Sequence, residues 1–130
     1  MLFRSLPTID TIKSDYSNIK ALGRLPRANW YNVLKNALDV IEALEEPDNS
    51  SVAWSAFYRI IIRYLTSLNH QIPQADLQLA VTTSLYMVSQ IYYYRPLRLR
   101  DFMEISQVYL GWRFKSHSVD NHQMRMVKFI

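Results

Sequence analysis

Residues 52–65 read Val52-Ala53-Trp54-Ser55-Ala56-Phe57-Tyr58-Arg59-Ile60-Ile61-Ile62-Arg63-Tyr64-Leu65. Trp54, Phe57, Tyr58, Ile60, Ile61, Ile62 and Leu65 fit a helix running from Val52 to about Leu68, and they cover nearly all of its sides. A helix that is apolar all round is either central in a fold or covered by another subunit. Asp48-Asn49-Ser50-Ser51 supplies the loop and N-cap before it. Asn49-Ser50-Ser51 also matches a glycosylation acceptor, but with no secretory signal in view it reads as the cap. Arg59 and Arg63 lie one turn apart on this helix, and a buried guanidinium without a partner is costly. They either snorkel from a partly exposed stripe or mark the rim of a subunit contact.

Toward the N-terminus, Ile9, Ile12, Tyr16 and Ile19 predict a helix over Thr8–Leu22, with Thr8 as cap and Gly23 placed for a left-handed C-terminal cap. A second helix opens at Pro26 or Asn29. Trp30, Leu34, Ala37, Leu38, Ile41 and Leu44 form its apolar face, and Pro47 ends it. Toward the C-terminus, Pro73 suits the first turn of a helix reaching about Tyr93, through Leu77, Ala80, Val81, Leu85, Val88 and Ile91. Pro96 stops it, and Leu97–Leu110 carries a fifth helical pattern through Leu99, Phe102, Met103 and Ser106. Beyond that the period changes to two, in Tyr109–Lys115 and again in Met124–Phe129. A polar segment separates them, so the expectation is a terminal β-hairpin within 108–130. The fold class expected is mainly α: a compact four- to five-helix bundle in one domain over 1–130, with that C-terminal hairpin.

Composition excludes several classes of chemistry. With 130 residues, 49% of them hydrophobic and 20% charged, the chain can bury a core unaided. The absence of cysteine removes disulfides, thiolate nucleophiles and cysteine zinc sites. Two glycines cannot build a Walker loop or a dinucleotide fingerprint. No stretch reads as a transmembrane helix, a secretory signal or a lipidation site, so the expectation is an intracellular protein, cytoplasmic or nuclear.

Charge is polarised. Residues 95–130 set Arg95, Arg98, Arg100, Arg113, Lys115, Arg125 and Lys128 against Asp101, Glu104 and Asp120, while residues 1–94 balance, so the whole net charge of +4 sits in the last third. Asp39, Glu42, Glu45, Glu46 and Asp48 form an acidic block at a helix end, where acids oppose the helix dipole. Cations at Arg95, Arg98 and Arg100 would offset that cost, within one chain or between copies. A head-to-tail pairing between copies would build a ring or filament.

Tyr92-Tyr93-Tyr94 followed by Arg95-Pro96-Leu97-Arg98-Leu99-Arg100 is the most distinctive surface signal. Tyrosine and arginine favour protein interfaces. The same residues suit phosphate contacts and base stacking, or an anionic membrane surface. His117, Asp120 and His122 are the only cluster of metal-ligand types, and without cysteine or a defined fourth ligand no metal site is expected. No spacing suggests a nucleophile elbow, and no cofactor or small-molecule substrate is expected.

The function expected is non-enzymatic: an interaction or assembly protein that binds itself as a homo-oligomer or docks a larger protein. The helix–loop–helix of Trp30–Leu68 is similar to those of small self-assembling viral matrix, core and accessory proteins, a likeness that no motif carries. The alternative is a sequence-independent binder of nucleic acid or anionic membrane through the basic C-terminal third, marked by steep salt dependence.

Overall fold

The computed structural model describes residues 7–44, 50–92, 97–112 and 114–130. Among them are six α-helices: α1 (Ile9–Asn18), α2 (Arg27–Leu44), α3 (Ser50–Ser67), α4 (Gln74–Tyr92), α5 (Leu99–Leu110) and α6 (Ser116–Met126). Short 3₁₀ turns at Lys20–Leu22 and Val127–Phe129 complete the order, and no strand occurs among the described residues. The bundle expected from helical periodicity is therefore present, with one more helix and no hairpin.

Local chemistry sets the helix starts. Thr8 caps α1 by accepting from the Thr11 amide at 3.1 Å. The carbonyls of Pro26 and Pro73 accept the first helical bonds of α2 and α4, from Trp30 at 3.3 Å and Leu77 at 3.0 Å. Each proline thus stands just outside its helix, where a missing N–H costs nothing. The end of α1 differs from the sequence reading. The helix stops at Asn18, Ile19 turns extended, and Lys20–Leu22 forms a tighter turn that buries Ala21 and Leu22 completely. Gly23 follows at φ −61°, in the right-handed region, so it is no left-handed cap. What glycine provides there is room, since a Cβ would lie 3.0 Å from Gln71 Nε2. The left-handed cap belongs to Gly111, at φ 75°, whose amide bonds the Gln107 carbonyl and closes α5.

The core draws its buried residues from α2 to α6 and from the Lys20–Leu22 turn. α2 buries Trp30, Val33, Leu34, Ala37, Val40 and Ile41, and α3 buries Ala53, Ala56, Phe57, Tyr58, Ile60, Ile61 and Leu65. The centre of the bundle is α4, which packs on α2, α3, α5 and α6. It buries every residue from Ala80 to Leu85, together with Leu77 and Met87 to Ser89. α3, apolar nearly all round by sequence, keeps an outer side instead: Val52 and Arg63 are exposed. α4 can sit centrally because its buried polar residues are small and mostly bond back to their own helix. Thr82 donates to Gln78 O at 2.9 Å, Ser84 to Ala80 O at 2.8 Å and Ser89 to Tyr86 O at 2.6 Å.

The hairpin expectation is overturned at both of its strands. Tyr109 and Leu110 are the last turn of α5, and Gly111 ends that helix. Trp112 then turns inward, its indole Nε1–H donating to Thr82 Oγ1 at 2.8 Å. In α6, Val119, His122 and Met126 fall at steps of three and four and are buried, which is a helix face laid on α4. The alternation of Met124–Phe129 spans less than two helical turns, too few to separate the two periods. No described helix is long and apolar enough to cross a membrane.

Candidate functional site

α1 is the helix least absorbed by the core, for none of its residues is fully buried. Two tyrosines fasten it. The Tyr16 hydroxyl donates to the Leu25 carbonyl, and the Tyr58 hydroxyl of α3 donates to Asp15 Oδ2 at 2.5 Å. Burial, then the hydrogen bond to Asp15 and its charge, push the Tyr58 pKa well up, so this hydroxyl stays protonated. Tyr16 also tilts against Tyr31 at 6.4 Å and carries the Arg27 guanidinium 5.6 Å from its ring centroid.

Held in this way, α1 forms one bank of an open groove of about 320 Å³. Ile9, Ile12 and Lys13 line it from α1; Tyr31, Leu34, Lys35 and Leu38 from α2; and Trp54 from α3. The positions 9, 12 and 13 and the positions 31, 34, 35 and 38 are single helix faces, so each helix offers a continuous apolar row with one lysine beside it. Ile9 is 71% exposed, an unusual cost for an isoleucine on a structured helix. Lys13 and Lys35 are the only charged residues on the groove, and neither forms an ion pair among the described residues. Trp54 is braced by stacking on Phe57 at 5.5 Å and tilting on Tyr58 at 6.1 Å.

The residues singled out by sequence are scattered. Tyr93, Tyr94, Arg95, Glu45 and Glu46 lie outside the described residues. Tyr92 is partly buried at the end of α4, and Arg98 and Arg100 are exposed at the start of α5. Although α2 and α5 pack together, Glu42 forms no ion pair with either arginine; Arg100 instead faces Glu104 of its own helix at 3.8 Å. Both partners of that contact are well exposed, and such a pair contributes little. Arg63 is exposed, whereas Arg59 is partly buried, its Nε without a hydrogen-bond partner among the described residues. His117 and Asp120 are exposed on α6 while His122 is buried, so the three do not converge. No group of three His, Asp or Glu side chains among the described residues could hold a metal ion.

The groove was not legible in advance. Ile9, Ile12, Leu34, Leu38 and Trp54 read in sequence as parts of apolar helix faces, and in the structure each lies on its helix beside the groove. The signal that distinguishes a groove is an apolar row flanked by Lys13 and Lys35 on two helices close in sequence, and it gains meaning only once the helices are paired. No protein-family model, curated protein or solved structure matches the chain.

Proposed function

We propose that the chain is a non-enzymatic interaction protein that binds an amphipathic helix of a partner protein in the α1–α2–α3 groove, with acidic residues of that helix beside Lys13 and Lys35. The observation that carries this reading is the groove itself: two apolar helix rows, open to solvent, bordered by Lys13 and Lys35, neither of them ion-paired among the described residues. Helix-in-groove recognition uses apolar anchors at i, i+3 or i+4 and i+7, and charge at the rim selects the partner. An apolar groove has no counterpart in nucleic-acid binding, which would call for a broad cationic surface.

The test uses a fluorescein-labelled amphipathic peptide with leucines at i, i+4 and i+7 flanked by glutamates, titrated with the full chain and followed by anisotropy. Saturable binding, lost in Leu38→Asp or Ile12→Asp and weakened when lysines replace the peptide's glutamates, supports the proposal. Equal binding of the glutamate and lysine peptides, or binding indifferent to both groove variants, overturns it. Light scattering of the chain alone tests the other occupant. A salt-resistant oligomer that Leu38→Asp dissolves would put a second copy in the groove in place of a separate partner.

A further inference from the structure

A second cavity, of about 470 Å³, lies where the last turn of α3, the loop into α4 and the C-terminal end of α6 meet. One side of it is aromatic. The Tyr64 ring stands edge-on to both His122, at 5.4 Å and 82°, and Phe129, at 5.7 Å and 81°, so three rings form a continuous wall. The charged residues on it, apart from the two histidines that also line it, are Arg125, Lys128 and Asp76. Neither cation forms an ion pair among the described residues, although Asp76 lines the same cavity. Lys128 Nζ rests instead 5.2 Å from the Phe129 ring centroid. His122 is 7% exposed, its Nε2 without a partner among the described residues, and burial, reinforced by the Arg125 charge, lowers its pKa and keeps it neutral at pH 7.

Two cations that no carboxylate among the described residues pairs, set beside a wall of rings in a concavity of ligand size, complement a molecule with a flat apolar body and a negative head. We propose that this cavity binds a small aromatic anion, its ring against Tyr64 and Phe129 and its carboxylate or phosphate between Arg125 and Lys128. The cations supply charge-assisted hydrogen bonds. The aromatic wall supplies the selectivity for an aromatic body over a bare ion. Asp76 works against the ligand and sets the sign of one decisive variant. The site shares no residue with the α1–α2–α3 groove, so the two proposals stand or fall separately.

The full chain is titrated calorimetrically with phenyl phosphate, benzoate, inorganic phosphate and benzylamine. Phenyl phosphate or benzoate is expected to bind roughly tenfold more tightly than inorganic phosphate, the gain that burying a ring contributes. Arg125→Gln and Lys128→Gln are expected each to weaken binding by about tenfold, and Asp76→Asn to strengthen it. All three side chains are exposed, so thermal melting should show each variant folded. Inorganic phosphate binding as tightly as phenyl phosphate would reduce the site to bare charge and overturn the proposal. So would benzylamine binding as well as the anions, an Asp76→Asn variant no tighter than the native chain, or no saturable binding of either aromatic anion by about 10 mM.

Discussion

The Tyr58 hydroxyl and the Asp15 carboxylate meet at 2.5 Å although 43 residues separate them, and their bond ties α1 to α3 on either side of the groove. Tyr58→Phe removes the donor and leaves the partly buried Asp15 without it. A hydrogen bond to a charged group contributes about 1.5–3 kcal/mol, so a loss near the lower end is expected in urea denaturation. The peptide of the groove test should also bind Tyr58→Phe more weakly, because one bank of its site is loosened. Unchanged stability and unchanged peptide binding would show that the bond fixes nothing.

Tyr58 also sets a limit at high pH. Its folded pKa lies above the unfolded value of 10.0, because burial and Asp15 both disfavour the phenolate. The stability it contributes is therefore complete below pH 10 and falls as pH rises past 10, where only the unfolded chain loses the proton. The native chain should show a steeper decline in urea midpoint above pH 10 than Tyr58→Phe.

His122 acts in the opposite range. Its folded pKa lies below the unfolded value of 6.5, burial being the largest cause, with the Arg125 charge adding to it and Asp76 opposing. Its contribution is present above pH 6.5 and is lost as pH falls from there through the folded pKa, since the unfolded chain binds the proton first. Denaturation at pH 7.5 and pH 5.5 should show a larger loss for the native chain than for His122→Gln. Equal losses would place the acid sensitivity elsewhere.

Ser84 tests which helix is central. It is fully buried on α4, and its hydroxyl donates to the Ala80 carbonyl at 2.8 Å. Ser84→Ala should change stability by less than about 0.5 kcal/mol, because that carbonyl belongs to a helix and alanine is the better helix former. Ser84→Leu should cost about 1–3 kcal/mol or more through overpacking. A neutral Ser84→Leu would mean that α4 has an open side.

The two glycines should respond differently. Gly111→Ala meets no atom within 4 Å but must hold φ 75°, so a cost of about 1 kcal/mol is expected from conformation alone. Gly23→Ala keeps an ordinary φ, and its Cβ would meet the movable end of Gln71 at 3.0 Å and the Lys20 carbonyl at 3.2 Å; with Gln71 free to swing aside, the smaller loss is expected there. Thermal denaturation of both variants settles the order.

The helices from Ile9 to Leu110 were legible because each carries several turns of apolar residues at steps of three and four, punctuated by Thr8, Pro26 and Pro73. The sequence also announced the absence of cysteine chemistry and of glycine-rich phosphate loops, which follow from composition alone. Three features were decided only by tertiary packing. Periodicity reports which face of a helix is apolar but not how many neighbours that face meets, so Ile60–Ile62 leave α3 readable as central or as covered by another subunit, while the small Thr82, Thr83 and Ser84 let α4 take the central place. Six alternating residues fit a strand and a short helix equally, and it is the burial of Val119, His122 and Met126 against α4 that makes 116–126 helical. The groove and the aromatic cavity belong to this third kind. Lys13 and Lys35, or Tyr64 and Phe129, become neighbours only when separate elements are laid side by side, and no local pattern encodes that pairing.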